Sequence, residues 1–397
     1  MYTEEALEKY KKFFDLVIEK LNITTTGNIV PVLHILPDAV PFLYALKKVS
    51  HVPFVISKPK SINQTVAGSL GIEIKQFSRN KISSNRFYEI IPKQKTAFID
   101  IGGYFANAIK GIASVQSDNF CGIVEDTENG LQKYLQNDID FSLMSVARSP
   151  LKENEDYMVG RSIGYSIERV LREHNALLNG LNFGVIGYGK IGRSVAKTAK
   201  DNQAFVIVSD ISAIRLAHAY SHGFRVVDND SLISLTDVLC IATGKLALNN
   251  KDFQNIKNGC WVFSVTSSDD SMDIEWLENN YDKTRISEQV YKYYRDNHYF
   301  YLVNEGNTIN FIHGATVGDF ILLVQAELLV SAYKLLNSPR RIGLQELDKG
   351  DRERYPFHKT TILSIITKLI QRIWQRKDTV LPVKSKMRSL IKLNMKV

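Results

Sequence analysis

The stretch Phe183-Gly184-Val185-Ile186-Gly187-Tyr188-Gly189-Lys190-Ile191-Gly192 decides the fold. Its first four residues form an apolar run of strand character. Three glycines then recur in a GxGxxG spacing, and a segment of helical composition, Ser194 to Lys200, follows. A second apolar run, Ala204 to Val208, ends in Ser209-Asp210, eighteen residues past Gly192. Strand, glycine-rich turn, helix, strand and acid, in that order, make a dinucleotide site. Gly187 permits the tight turn, Gly189 lets the backbone approach a pyrophosphate, and Gly192 lets the helix pack closely on the strand. The helix N-terminus, at Lys190 and Ile191, offers free N–H groups and a partial positive charge to the phosphates. Asp210 is spaced to accept hydrogen bonds from the adenosine ribose. Its charge repels a 2′-phosphate, so NAD is favoured over NADP.

Outward from this motif the pattern is α/β throughout. Strands are expected at Phe183–Ile186, Phe205–Val208, Arg225–Val227, Val238–Ile241, Trp261–Ser264 and Tyr301–Val303. Six strands with helices between them suit a complete, Rossmann-type doubly wound NAD-binding domain over 160–318. Upstream, Val32–Leu36, Phe54–Ser57, Ala97–Ile101 and Cys121–Val124 alternate with helical segments. They define a second α/β domain, 1–159, for the substrate, completed by about 319–358. Residues 4–22 read as an amphipathic helix with Leu7, Tyr10, Phe13, Phe14, Val17, Ile18 and Leu21 on one face. Further helices are expected over 160–179 and 319–336, and a charged loop over 340–354.

The chain has 397 residues, enough for two or three domains, and is 44% hydrophobic. No apolar run approaches the roughly 20 residues of a membrane span. Cys121, Cys240 and Cys260 are scattered, form no metal pattern and fit a reducing compartment, so a cytoplasmic protein is expected. The net charge of +8 is unevenly spread. Residues 359–397 hold ten basic residues against the single acid Asp378, about +9, which leaves the preceding chain near −1. The body is therefore not a polyanion-binding surface. Any attraction to anionic membranes or nucleic acid belongs to the basic tail, where Ile362, Ile365, Ile366, Leu369, Ile370, Ile373 and Trp374 make an amphipathic stripe that equally fits a helix docked on its own body or on a second subunit.

Several segments, in order and in spacing, resemble the S-adenosylhomocysteine hydrolase (adenosylhomocysteinase) family over roughly 30–330. Leu33-His34 is similar to the family's Leu-His-Met-Thr, and Asp100-Ile101-Gly102-Gly103 to Asp-Asp-Gly-Gly. Val124-Glu125-Asp126-Thr127-Glu128-Asn129-Gly130 is similar to Thr-Glu-Glu-Thr-Thr-Thr-Gly. Lys152, Asp156 and Gly160 keep the spacing of Lys-Ser-Lys-Phe-Asp-Asn-Leu-Tyr-Gly. Ala242-Thr243-Gly244 resembles Thr-Thr-Gly, and Glu305-Gly306 with Asn310 resembles Glu-Gly-Arg-Leu-Val-Asn. The resemblance implies bound NAD that oxidises the substrate's 3′-hydroxyl, followed by elimination at C5′, hydration and re-reduction. It implies Lys152 as proton acceptor, Asp156 as its holder or a ribose ligand, Asp126 in the place of a glutamate, and His34 retained. It also implies cofactor contacts from Thr127, Thr243, Gly244 and Asn310, and a homo-oligomer. From residue type alone, Lys152 to Asp156 reads instead as an exposed charged loop.

The pattern breaks at the 5′ side, where acid–base groups of near-neutral pKa are needed. Two family histidines align with Ser267 and Val317, neither of which shuttles protons at neutral pH. His313 is the nearby histidine that could compensate. Tyr157 and Leu36 also replace polar family residues, which makes the pocket less polar. The expectation is an adenosylhomocysteinase-like, NAD-dependent enzyme for a nucleoside or ribose-like small molecule, adenosine-like in kind, with hydrolysis of S-adenosylhomocysteine impaired. A net NAD-dependent oxidoreductase and a non-catalytic NAD-binding scaffold are the open alternatives. The site is expected in the cleft between the two domains.

Overall fold

The protein is seen here as a computed structural model that describes residues 2–21, 27–266, 271–348, Gly350 and Arg352. Ser267 and the basic tail 359–397 lie outside the described residues. Two mostly parallel sheets organise the chain. The first holds β1 (Asn28–Ile35), β2 (Val55–Ile62), β3 (Ile74–Gln76), β4 (Thr96–Asp100), β5 (Phe120–Glu125) and β6 (Ser142–Ser145). The second holds β7 (Asn182–Ile186), β8 (Phe205–Ser209), β9 (Arg225–Val226), β10 (Val238–Ile241), β11 (Cys260–Ser264), β12 (Asp282–Arg285), β13 (Val290–Arg295) and β14 (His298–Val303). A late strand, β15 (Gly343–Gln345), pairs parallel with β6 and closes the first sheet.

Both sheets are doubly wound and share the order of their first five strands, β3-β2-β1-β4-β5 in one and β9-β8-β7-β10-β11 in the other. The first runs β15-β6-β5-β4-β1-β2-β3 and the second β12-β13-β14-β11-β10-β7-β8-β9. Each sheet thus reverses direction beside its own first strand, at β1/β4 and at β7/β10. Such switch points open a crevice at the carboxyl ends of the strands, where ligands bind. Strands covered on both faces read as continuous apolar runs rather than as alternation. β4 and β10 are buried at every residue.

Helices cover each sheet on both sides. One core layer of the first sheet joins Phe14 and Val17 of the Glu4–Leu21 helix, Phe42 and Leu46 of the Ala39–Val49 helix, and Leu328 and Leu329 of the Phe320–Asn337 helix. The other layer packs Phe87, Phe98, Phe105, Phe120 and Phe141 together. Each such side chain, fully buried, contributes about 1.5–3 kcal/mol. The Phe320–Asn337 helix is 18 residues long and apolar enough by length and composition to cross a membrane. It is apolar on nearly every side because the first sheet, the Ala39–Val49 helix and the Glu4–Leu21 helix enclose it.

The long helix differs from the sequence reading. It spans Pro150–Glu173, not 160–179. Ser149 caps it by accepting from the Leu151 N–H at 3.1 Å, and Pro150 takes the first turn, where its missing N–H costs nothing. It stops at His174, whose Nδ1 bonds the Val170 carbonyl at 2.8 Å. The segment Lys152–Asp156 is therefore helix, with Lys152 and Glu155 buried and Glu153 and Asn154 exposed, not a loop. The chain passes from one sheet to the other along this continuous helix. The hairpin β12–β13 also escaped the sequence reading. β12 is exposed at every residue and carries charges, as edge strands do. The 340–354 segment contains β15 in place of a continuous loop.

Candidate active site

The two switch points face each other across a cavity of about 2360 Å³. Small-molecule pockets usually run to roughly 300–1,000 Å³, so this one has room for a dinucleotide and a second ligand together. His34 near the end of β1, Ile101 and Gly102 after β4, and Asp126 and Thr127 after β5 line it from one side. Gly187, Gly189, Lys190 and Ile191 after β7, Asp210 after β8, and Ala242, Thr243 and Gly244 after β10 line it from the other. Asn310 lines it as well.

The glycine turn has the stereochemistry its spacing requires. Gly187 has φ +97°, and a Cβ there would meet the Ala242 carbonyl oxygen at 2.6 Å. A Cβ on Gly192 would meet the Gly187 carbonyl oxygen at 2.0 Å. At Gly189 a Cβ would meet nothing within 4 Å, so the backbone faces the open cavity there. Gly189 starts the Lys190–Asp201 helix, whose first N–H groups point the same way. The Asp210 side chain is 2% exposed, accepts from the Tyr188 N–H at 2.7 Å and the Ser212 N–H at 2.8 Å, and has Arg215 Nη1 at 3.6 Å. Each carboxylate oxygen keeps a second lone pair for a ribose hydroxyl. The Thr243 hydroxyl donates to the Lys245 carbonyl at 2.7 Å. A Cβ on Gly244 would meet Asn129 of the opposite wall at 3.3 Å, so the cleft is narrow at that point. The Thr127 hydroxyl is internally engaged, donating to Glu125 and accepting from the Gly130 N–H. Asn310 is 3% exposed, and its Oδ1 has no hydrogen-bond partner, which leaves an amide oxygen free for a ligand. The glycine cradle, the acid and this amide together fit NAD.

Beside the turn lies a buried charged cluster. The long helix carries Lys152, Glu155 and Asp156 on its first two turns, and the loop after β5 brings Asp126 to them. Lys152 Nζ is 2.7 Å from Glu155, 3.4 Å from Asp126 and 3.8 Å from Asp156. Lys190 Nζ, on the glycine turn's own helix, is 3.6 Å from Asp156 and donates to the Ala147 carbonyl at 3.1 Å. Burial disfavours the charge on Lys152, but Asp126, Glu155 and Asp156 outweigh it and raise its pKa above the ordinary lysine value. Burial pushes Glu155 up to about 7, against the attraction of Lys152 and with the repulsion of Asp156 and Asp126. Asp156 is raised as well, again mainly by burial. Three carboxylates face two ammonium groups, so the fully ionised cluster carries one surplus negative charge. Glu155 makes it a proton acceptor of near-neutral strength, while Lys152 stays protonated.

Residues 157–317 match the family model described as S-adenosyl-L-homocysteine hydrolase, NAD binding domain. The adenosylhomocysteinase of Aquifex aeolicus (strain VF5) is 27% identical over 341 residues, 80% of this chain and 81% of its own. That of Pyrococcus abyssi (strain GE5 / Orsay) is 26% identical over 290 residues, 68% of each chain. The S-inosyl-L-homocysteine hydrolase of Methanothermobacter thermautotrophicus (strain ATCC 29096 / DSM 1053 / JCM 10044 / NBRC 100330 / Delta H) is 28% identical over 224 residues, 53% of each. The chain is thus similar to adenosylhomocysteinases along most of its length, and its residues 157–317 fit the family's NAD binding domain. Its second sheet is an NAD-binding domain.

Within this adenosylhomocysteinase-like frame, His34 is half-buried on the cavity wall. Its Nδ1 is 2.7 Å from the Ser61 hydroxyl, and its ring lies 4.6 Å from that of Phe311. Burial, then the cations Lys58 and Lys152, hold its pKa well below the usual histidine value, so it is neutral at pH 7. Val317 lines the cavity at 7% exposure and supplies no proton. His313 is not brought to the charged cluster. Its charged neighbours are Arg169 and Glu173, in the last turns of the long helix, and burial lowers its pKa. The sequence reading missed Glu155, Lys58 and Ser61. Glu155 carried a readable signal, since i, i+3 spacing from Lys152 puts both on one helix face.

Proposed function

We propose that the protein oxidises the 3′-hydroxyl of a nucleoside-type substrate held between its two sheets beside bound NAD. The observation that carries this reading is the Lys152–Asp126–Glu155–Asp156 cluster, buried in the cavity and joined to the glycine turn through Lys190. When bound, NAD supplies the hydride acceptor. The turn at Gly187 to Gly192 with Asp210 holds the dinucleotide, and Asn310 Oδ1 accepts a hydrogen bond. The hydroxyl proton passes to a carboxylate of the cluster, whose surplus charge it neutralises. Lys152 stays protonated and fixes the carboxylates and the sugar hydroxyls by charge-assisted hydrogen bonds. The relatives' names point to S-adenosyl and S-inosyl homocysteine, so a purine nucleoside with a 5′ substituent is the substrate class.

Hydrolysis of S-adenosylhomocysteine itself is proposed to be impaired, because Val317 stands where the family places a proton-shuttling histidine. If elimination is lost, net oxidation with release of the reduced cofactor is the second reading, favoured by the same residue. The test is the fluorescence of reduced nicotinamide after adding adenosine or inosine to the NAD-loaded protein. A rise supports hydroxyl oxidation. Its absence with both nucleosides, NAD being bound, overturns it. Robust turnover of S-adenosylhomocysteine would overturn the impairment, and accumulation of free NADH would favour the second reading.

A further inference from the structure

We propose that the end of the cavity remote from the NAD turn binds an anionic group of the substrate, a carboxylate or a phosphate. This rests on the nucleoside reading above. The end is built by an irregularity in β2. While β1 advances from Leu33 to Ile35, its partner advances from Ser57 to Ile62, so the extra residues bulge out of the ladder. Such bulges re-aim side chains and collect beside active sites. This one delivers Lys58 and Ser61 to the cavity wall.

Lys58 lies over Gly102, where a Cβ would come within 3.3 Å of its Nζ, and 5.8 Å from the centre of the Tyr104 ring. The Arg79 guanidinium is 5.7 Å from the same ring. Arg79 Nη2 and Lys133 Nζ both donate to the Gly102 carbonyl, at 3.4 and 3.2 Å. Three cations thus surround one glycine. Two carboxylates lie behind them, but their oxygens serve the backbone. Glu125 accepts from the N–H groups of Gly102, Gly103 and Thr127. Asp100 accepts from those of Tyr104 and Phe105 and from the Tyr134 hydroxyl. Burial, reinforced by the Asp100 charge, pushes Glu125 up to about 8, and three cations stand against these two carboxylates. Among the described residues the Lys58 ammonium makes no hydrogen bond or ion pair. The corner carries excess positive charge that opens onto the cavity.

Its position along the cavity sets which part of the substrate meets it. The charged cluster adjoins the glycine turn through Lys190 and Asp156. His34 comes next, with Lys152 and Lys58 as its two nearby cations, and Ser61 holds its Nδ1. Lys58 and Arg79 therefore meet the substituent carried away from the oxidised carbon. Burial lowers Lys58 to about 8, against the attraction of Glu125 and Asp100 and with the repulsion of Arg79 and Lys133. Affinity for the anion accordingly weakens as pH rises through that value.

The test uses the full-length, NAD-loaded protein, so that the phosphate-binding turn is occupied. Binding is measured for adenosine, adenosine 5′-monophosphate, an adenosine 5′-thioether ending in a carboxylate, and zwitterionic S-adenosylhomocysteine. One anionic ligand is expected to bind about tenfold or more tighter than adenosine, as a charge-assisted hydrogen bond gives. Which of the two does so distinguishes phosphate from carboxylate. Lys58→Met should collapse the ratio, Lys58→Arg should restore it, and circular dichroism checks that both variants fold. Equal affinities for charged and neutral ligands, tighter binding of the zwitterion, or an unchanged ratio in Lys58→Met would each overturn the proposal while leaving nucleoside oxidation standing. If no nucleoside binds, the nucleoside reading fails. Inorganic phosphate then probes the corner alone: it should raise the melting temperature of the NAD-loaded wild type and not of Lys58→Met, and no such difference overturns the proposal.

Discussion

At the scale of single residues, Glu155 concentrates the chemistry. Its carboxylate is buried 2.7 Å from Lys152 and titrates near 7. The base form fills as pH rises through that value, so oxidation of the nucleoside hydroxyl should accelerate from pH 6 to pH 8. Glu155→Gln should lower the rate by on the order of 10² and flatten that rise, read by single-turnover formation of reduced nicotinamide. The stability effect has the opposite sense. A carboxyl raised in the folded state stabilises it below the ordinary carboxylate pKa, and the contribution is lost as pH rises to about 7. The Gln variant should therefore lose less of its melting temperature than wild type between pH 5 and 8. Asp210 carries a different expectation. Its buried carboxylate faces the dinucleotide cleft with Arg215 at 3.6 Å. Asp210→Ala should weaken NAD and narrow its margin over NADP by about tenfold or more, checked by parallel titrations with both dinucleotides.

At the scale of elements, the contact between the long helix and the Lys190–Asp201 helix is the tightest joint at the site. Gly160 and Gly164, one turn apart, face Ser194 and Thr198. A Cβ on Gly160 would sit 2.4 Å from Ser194 Cβ and 2.8 Å from the Ile191 carbonyl oxygen. The Ser194 hydroxyl donates to the Tyr157 carbonyl at 2.5 Å across the same joint. Gly160→Ala should destabilise the fold by about 1–3 kcal/mol through overpacking. It should also weaken NAD, because Ile191 and Gly192 move with the displaced helix. Thermal denaturation and NAD titration check the two effects separately. The elements also show what the sequence disclosed. The GxGxxG turn, the strands on either side and the acid were legible because backbone stereochemistry dictates glycine there. The true start of the long helix was written in Ser149-Pro150 but was overlooked in favour of the charged run after it. β12 was not legible, since an exposed Asp-Lys-Thr-Arg strand has no apolar face to announce it.

At the scale of the whole molecule, two doubly wound sheets set their switch points against each other, and the cavity between them belongs to both. The sequence reading anticipated the α/β class and the NAD-binding domain. It did not foresee that five strands of the first sheet repeat the order of five in the second, because order depends on long-range pairing that no local pattern records. Nor could it weigh three carboxylates against two ammonium groups, since Asp126 and Lys190 reach the cluster from distant segments. The glycine turn that fits NAD lines this shared cavity, so saturating it with NAD should raise stability by about 2–3 kcal/mol at a hundredfold excess over its dissociation constant. A melting temperature indifferent to NAD would contradict that coupling. The continuous helix Pro150–Glu173 has one more consequence. Glu155 and Asp156, the proposed proton acceptors, stand on the rod that joins the two halves, where the halves shield them from most water. Any motion that parted the sheets to exchange ligands would let water in around Glu155 and Asp156 and return them to ordinary, fully ionised acids. Opening the cleft would thus disarm the chemistry without moving a single reactive group out of line, and closing it would re-arm the site.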